Sequence, residues 1–216
     1  MKLILTAMMH ILIADDHAIV RRGLKQLLLE QYPTAVIGET GDAEELISKV
    51  VNQQWDVVVC DMSMPGRSGL DALQQIREIA PKLPVLIMSM HPEDQYALRV
   101  LKAGGAGYLG KETVHDDLVK AIEMVKIGRK FITPSIAEKL ANALDTDTDH
   151  PLHEDLSNRE FDVFKLLAAG KSVSEIASQF ALSTTTVSTY RARILEKMNM
   201  RTNAELTRYA MEYNLN

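Results

Sequence analysis

Five short apolar, β-branched runs recur through the first half of the chain, each followed by a stretch with helical spacing. The runs are residues 10–14 (HILIA), 35–38 (AVIG), 57–60 (VVVC), 85–89 (VLIMS) and 106–109 (AGYL). The intervening apolar positions fall three or four residues apart. Ile19, Leu24, Leu27 and Leu28 mark a first helix, and Leu46, Ile47 and Val50 a second. Leu70, Leu73, Ile76 and Ile79 mark a third, Ala97, Val100 and Leu101 a fourth, and Leu118, Ile122 and Val125 a fifth. Strand and helix alternating five times require a parallel sheet with helices on both faces. The near-continuous apolar character of the runs agrees, because strands of such a sheet are buried on both sides.

Beyond Phe131 the pattern changes. Residues 135–144 can form one more amphipathic helix, and residues 145–154 (DTDTDHPLHE) are acidic, interrupted by Pro151, and read as a linker. From Ser157 the spacing is helical throughout. Ser157 with Glu160, Ser172 with Glu175 and Thr202 with Glu205 are Ser/Thr-x-x-Glu capping signatures, Gly170 closes the first of these helices, and Ser183 precedes a long one. The expected organisation is therefore residues 1–132 as one α/β domain, 133–153 as a linker with one helix, and 154–216 as a small all-helical domain.

The formal net charge of −5 does not advertise a nucleic-acid partner, but it is unevenly spread. Residues 1–150 hold 16 Lys and Arg against 21 Asp and Glu, whereas residues 151–216 hold 8 against 8. The single cysteine, Cys60, lies in an apolar run, reads as a buried small hydrophobe, and fits a reducing cytoplasm. No apolar run is long enough to cross a bilayer, and the start of the chain lacks a clear cleavage site. Residues 1–7 read equally well as native sequence or as an extension ahead of Met8 and Met9.

Ligands of open parallel sheets bind at the carboxyl ends of the strands. Those ends carry Asp15 and Asp16, then Asp61, Ser89 and Lys111. Carboxylates gathered at one rim repel each other and call for a hard cation, for which Mg2+ with oxygen ligands is suited. Asp61, standing apart at the centre of the sheet, is the expected nucleophile toward a phosphoryl group. Lys111 would hold a phosphoryl oxygen, and Ser89 would donate a hydrogen bond to it. Taken singly, each acid reads more simply as a helix cap or a turn residue; the joint placement of all five carries the expectation. His17 reads as a helix-start residue, and Met62 and Met64 as packing of the loop after Asp61.

In the helical domain, Val187, Tyr190, Ile194 and Met198 share one face of the long helix over 183–198. Thr185, Ser188, Thr189, Ala192 and Glu196 lie on or near the other face, flanked by Arg191 and Arg193. Small polar groups can meet base edges while arginines reach phosphate or guanine, and Lys171, Lys197 and Arg201 add phosphate contacts. An amphipathic surface helix would present the same charge balance. The segment KSVSEIASQFALS supplies the short helix and turn that a helix-turn-helix needs.

The segments ADDH (14–17), DMSMPGRSG (61–69), MSMH (88–91) and AGYLGK (106–111), with LSNRE (156–160), GKSVSEIA (170–177) and LSTTTVSTYRARILEKM (182–198), resemble a two-component response regulator of the NarL/FixJ subfamily, a receiver domain joined to a LuxR-type helix-turn-helix. The resemblance spans essentially everything after Met9. It implies a flavodoxin-like doubly wound receiver with strand order 2-1-3-4-5 and a four-helix DNA-binding domain. It implies phosphorylation of Asp61 by a sensor histidine kinase, and Mg2+ held by Asp16, Asp61 and the Ser63 carbonyl, with Asp15 acting through water. It further implies a switch in which Ser89 moves and Tyr108 changes rotamer, base contacts from Ser188, Thr189 and Ala192, and a homodimer contact through Leu206, Tyr209, Ala210 and Tyr213, although packing within their own domain takes up part of that last stripe. Double-stranded DNA and a second copy are then the expected partners, with RNA polymerase a further one and no membrane. The chain is expected to be a phosphoacceptor that supports its own Mg2+-dependent phosphorylation and dephosphorylation, not an enzyme. Many receivers carry a cis proline after the lysine; here Glu112 stands at that position.

Two other functions fit parts of the sequence. One is a phosphatase or phosphotransferase with Asp61 as turnover nucleophile, although the second Asp of haloacid-dehalogenase-type phosphatases is here Ser63. The other is a DNA-binding regulator independent of phosphorylation, against which the complete acidic set argues.

Overall fold

The computed structural model of the chain describes residues 8–145 and 151–215. Residues 1–7 and 216, and residues 146–150 of the linker expected over 145–154, lie outside the described residues. The chain forms two compact units that divide between Ala141 and Asn142.

The first unit alternates strand and helix: β1 (His10–Ala14), α1 (Ala18–Gln31), β2 (Val36–Thr40), α2 (Ala43–Asn52), β3 (Val57–Asp61), α3 (Gly69–Ile79), β4 (Val85–Ser89), α4 (Glu93–Lys102), β5 (Gly107–Gly110) and α5 (Val114–Lys126). All strand pairs are parallel, in the order β2-β1-β3-β4-β5. The doubly wound expectation holds, and the pleat explains the layering. Ile11, Ile13, Val57, Val59, Leu86 and Met88 point to one face and pack with Leu24 and Leu28 of α1 and Leu118, Ile122 and Val125 of α5. The alternate residues Leu12, Val58, Cys60 and Ile87 are as completely buried, on the face covered by α2, α3 and α4.

Several boundaries differ from the sequence reading, each for a physical reason. β2 starts at Val36 and runs on through Glu39 and Thr40, because backbone pairing with Ile13 and Ala14 carries polar residues at a sheet edge. β3 extends to Asp61, and β5 is shifted one residue to Gly107–Gly110. Ile19 is 76% exposed and Ile79 43% exposed. The apolar stripe of α1 runs through Val20, Leu24, Leu27 and Leu28, which leaves Ile19 pointing outward. All described peptide bonds are trans, Lys111–Glu112 included.

The helix α6 (Pro134–Asp145) follows. The second unit holds a short 3-10 turn (Leu152–Asp155), α7 (Asn158–Ala168), α8 (Val173–Gln179), α9 (Thr184–Lys197) and α10 (Asn203–Glu212). Ser157, Ser172 and Thr202 form reciprocal capping boxes with Glu160, Glu175 and Glu205, and Ser183 caps α9. Gly170 ends α7 with φ of +85°, a conformation that glycine adopts without strain. Phe161, Phe164, Leu167, Ile176, Val187, Ile194, Leu206 and Ala210 form the core of this unit.

Candidate functional site

The carboxyl ends of the strands bring the expected residues together. β1 delivers Asp15, which is fully buried, and β3 ends on Asp61, which is 1% exposed. Lys111 follows β5, its backbone N–H donating to the Ser89 carbonyl at 2.8 Å, so the last strand pairing aims its side chain at the acids. Lys111 Nζ stands 2.7 Å from Asp15 Oδ2 and 3.0 Å from Asp61 Oδ1. One ammonium therefore bridges two buried carboxylates from neighbouring strands. Asp15 Oδ1 accepts the His17 backbone N–H at 2.8 Å.

The charges in this cluster do not close on themselves. Burial pushes the Asp61 carboxyl above the usual aspartate range, and Lys111 offsets only part of that. Burial opposes the Lys111 charge too, but Asp15 and Asp61 outweigh it and hold the ammonium above its ordinary range. Asp61 Oδ1 and Asp16 Oδ1 are buried, each against one side-chain nitrogen: Lys111 Nζ at 3.0 Å for the first and His17 Nδ1 at 2.7 Å for the second. Asp15, Asp16, His17 and Asp61 each offer a ligand atom within 4.8 Å of the others. Three carboxylates with hard oxygens gathered in this way against a single lysine fit a divalent ion of the Mg2+ class.

His17 begins α1, as its position in the sequence suggests, and caps it without a side-chain hydrogen bond. Its imidazole turns to the acids instead, with Nδ1 2.7 Å from Asp16 Oδ1 and 3.3 Å from Asp15 Oδ1. Met62 and Met64 are buried, at 4% and 5% exposed, and pack the loop.

Ser89 Oγ accepts the His91 backbone N–H at 3.0 Å, while the Tyr108 hydroxyl donates to the His91 carbonyl at 2.6 Å. The peptide groups of His91 are thus bracketed by Ser89 and Tyr108. Tyr108 is turned inward, 3% exposed, and burial pushes its phenol to about 12. A cavity of about 430 Å³ lies beside Ser89, Tyr108 and Lys111.

In the second unit α9 divides as the spacing requires. Val187, Ile194 and Met198 are buried with Tyr190 half-buried, while Thr185, Ser188, Thr189, Ala192, Arg193 and Glu196 are exposed. Three positions read as nucleic-acid contacts already have protein partners. Arg191 Nε donates to Asn203 Oδ1 at 2.8 Å, Lys171 Nζ to Gln179 Oε1 at 2.6 Å, and Lys197 Nζ pairs with Glu160 Oε2 at 2.7 Å. Glu160 is 3% exposed, so Lys197 serves the packing of α9 on α7.

The stripe on α10 is a correction. Leu206, Tyr209 and Ala210 are 0%, 7% and 0% exposed and belong to the core of their own unit. The Tyr209 ring meets Phe164 and stacks on Tyr213 at 4.4 Å, and its hydroxyl lies 3.0 Å from His153 Nδ1. Of the four expected contact residues only Tyr213 is exposed, at 46%. An apolar stripe read from sequence does not say whether the cover is another chain or the same one.

Sequence reasoning also passed over Gly69 and Arg21. A side chain at Gly69 would collide with the Asp61 carbonyl oxygen, and Arg21 Nη1 donates to the Asp15 carbonyl at 2.7 Å. Gly69 stood inside a quoted motif; no periodicity or spacing singles out Arg21.

Comparison with known proteins agrees with both units. The response regulator receiver domain model matches residues 11–123, and the model of bacterial regulatory proteins of the luxR family matches residues 154–210. Response regulator UvrY of Escherichia coli K12 is 32% identical over 209 residues, covering 96% of each chain. Oxygen regulatory protein NreC of Staphylococcus carnosus is 34% identical over 214 residues, covering 96% of this chain and 99% of its own. Among solved structures, RcsB of Salmonella enterica serovar Typhimurium, bound to promoter rprA in the presence of phosphomimetic beryllofluoride, matches with TM-score 0.61 and 27% identity over 93% of this chain and 98% of its own. A structure of an RcsB–DNA complex matches with TM-score 0.56 and 28% identity over 94% and 98%. With its acid cluster, parallel sheet and capped helical unit, the chain belongs to the response regulators of the NarL/FixJ subfamily, a receiver domain followed by a LuxR-type helix-turn-helix.

Proposed function

We propose that this chain is a transcription regulator in which a phosphoryl group on Asp61 controls dimerisation and sequence-specific DNA binding. The observation that carries the reading is the Lys111 ammonium held between Asp15 and Asp61 at the carboxyl edge of the sheet. A sensor histidine kinase is the donor. A carboxylate oxygen of Asp61 attacks phosphorus, the P–N bond to the phosphohistidine breaks, and the imidazole leaves with the bonding pair. Lys111 and Ser89 bind phosphoryl oxygens of the product. Asp16, Asp61 and the Ser63 carbonyl, with Asp15 through water, would hold Mg2+, which would supply positive charge against the acids and the phosphoryl oxygens. Ser89 then releases the His91 N–H, and the loop that Ser89 and Tyr108 bracket moves between two arrangements. The protein is a phosphoacceptor with self-supported phosphorylation and dephosphorylation, not a turnover enzyme.

The output is duplex DNA read by α9 in the major groove. Thr185, Ser188, Thr189 and Ala192 face the base edges and Arg193 the phosphates, with Lys171 at the rim. The dimer face of α10 is its exposed side, carrying Ala204, Arg208 and Met211 beside Tyr213. RNA polymerase is a further partner, and the site of action is the cytoplasm. We take the receiver as residues 1–132, the linker as 133–153 and the DNA-binding domain as 154–216. Among the described residues no helix is long and apolar enough to cross a membrane.

Beryllofluoride with Mg2+ should tighten DNA binding of the full chain by about tenfold or more, the usual scale of allosteric coupling. Titration of labelled promoter fragments reads the effect, and Asp61→Asn should erase it. DNA binding left unchanged by beryllofluoride and by Asp61→Asn would point to the phosphorylation-independent alternative. Arg193→Ala should weaken binding across sequences and lower the slope of log affinity against log salt by about one, as loss of one phosphate contact requires. An unchanged slope would remove Arg193 from the interface.

A further inference from the structure

We propose that Arg21 is a positioning residue: it grips the peptide plane that joins Asp15 to Asp16 and so sets the divalent-cation affinity of the acid cluster. The proposal rests on the functional reading above and deepens it. Arg21 lies one turn into α1, its backbone N–H donating to the His17 carbonyl at 3.2 Å. Its Nη1 donates to the Asp15 carbonyl at 2.7 Å. That carbonyl belongs to the peptide group between the two acids. On the other side of the residue, the Asp15 N–H donates to the Thr40 carbonyl at 3.2 Å. The backbone of Asp15 is therefore held at both ends, once by the sheet and once by a side chain.

Asp15 also has its carboxylate fixed, by the His17 N–H on Oδ1 and Lys111 on Oδ2. Asp16 Oδ1 has a looser partner, the His17 imidazole, whose Nδ1 lies 2.7 Å away on a side chain that is 64% exposed. Where that oxygen sits follows from the orientation of the peptide before it, the one Arg21 holds. The arginine is itself fixed. Its side chain is 20% exposed, and its buried Nε, which makes no hydrogen bond, lies 3.7 Å from Glu39 Oε2. Glu39 in turn accepts Lys25 on Oε1 at 2.8 Å and Lys49 on its backbone carbonyl. A planar guanidinium can address the carbonyl and the carboxylate from different edges, whereas a lysine offers a single point. Support of this kind behind a metal-binding group commonly governs affinity by tenfold or more.

A second effect of Arg21 has the opposite sign. A cation beside an acid cluster repels Mg2+ through space, so its removal would tighten the ion if charge alone mattered. The two accounts therefore separate in one titration. Calorimetric titration of the full chain with Mg2+, alongside thermal unfolding, should give about tenfold weaker affinity for Arg21→Met. Arg21→Lys, which keeps the charge and loses the fork, should also bind more weakly. In labelling by acetyl phosphate, the half-saturating Mg2+ concentration should rise in both variants while the rate at saturating Mg2+ returns to wild type. Wild-type or tighter Mg2+ binding in both variants overturns the proposal, as does a lowered saturating rate with unchanged half-saturation. A lower Tm with unchanged affinity assigns Arg21 to stability alone and also overturns it. Failure of the unsubstituted protein to take up Mg2+ or label would instead sink the functional reading itself.

Discussion

Gly69→Ala should destabilise the receiver by roughly 3 kcal/mol, the upper end of what an overpacked methyl costs, and should slow phosphorylation of Asp61. Gly69 opens α3 and is buried, with its N–H on the Met62 carbonyl at 2.9 Å. A Cβ there would overlap the carbonyl oxygen of Asp61 and stand 3.0 Å from Met62 Cα. Both are backbone atoms of the strand and loop that carry the phosphoacceptor, so no side-chain rotation relieves the clash. The α3 terminus or the Asp61 loop must shift, and the Ser68–Asp71 capping box is built on that same turn. Calorimetry of the full chain reads the stability and acetyl phosphate labelling reads the site. A variant with wild-type Tm and labelling rate would mean that the helix does not press on the Asp61 backbone.

Glu160→Ala should produce a loss of similar size in the other unit. Glu160 Oε2 accepts the Ser157 N–H at 2.8 Å and Lys197 Nζ at 2.7 Å. It completes the cap of α7 and ties that helix to the end of α9. A charge-assisted hydrogen bond together with a cap amounts to roughly 3 kcal/mol. Burial acts against the charge on Glu160, but Lys197 and the Ser157 donors outweigh it and hold the carboxyl below its usual value of 4.5. A carboxyl lowered on folding contributes stability above the unfolded value, and that contribution is lost as pH falls through the folded one. The transition of the second unit should therefore weaken below about pH 4.5 in the wild type, and less so in Glu160→Gln. DNA binding at neutral pH should fall in Glu160→Ala through the loosened α9. Because Gly69→Ala acts on the first unit, the two variants assign the calorimetric transitions. Equal acid sensitivity in wild type and Glu160→Gln would remove Glu160 from the linkage.

The strand ends were legible because a parallel sheet buries both faces, which writes each strand as an unbroken apolar run with its functional residue just beyond. The helical unit was legible for a different reason: Ser157, Ser172 and Thr202 each precede a glutamate by three residues, and that signal is local. What escaped is tertiary. β2 continues through Glu39 and Thr40 because neighbouring backbone pairs with them, a fact that their polarity conceals. Ile19 and Leu206 are both apolar and helical, yet one is 76% exposed and the other fully buried, since only the packed partner decides which side of a helix is inside. Lys197, the last residue of α9, reads from the sequence as a basic group open to phosphate, and the sequence does not reveal its ion pair with Glu160, 37 residues away. Gly69 and Arg21 act on backbone atoms of Asp61 and Asp15, and sequence patterns carry no trace of backbone proximity.

The central claim is that Asp61 accepts a phosphoryl group in the pocket that Lys111 and Asp15 complete. Intact-mass measurement of the full chain after incubation with acetyl phosphate and Mg2+ tests it directly. The wild type should gain one phosphoryl group, lost on omission of Mg2+, and Asp61→Asn should gain none. An unmodified wild type, or Asp61→Asn labelled to the same stoichiometry, would contradict it.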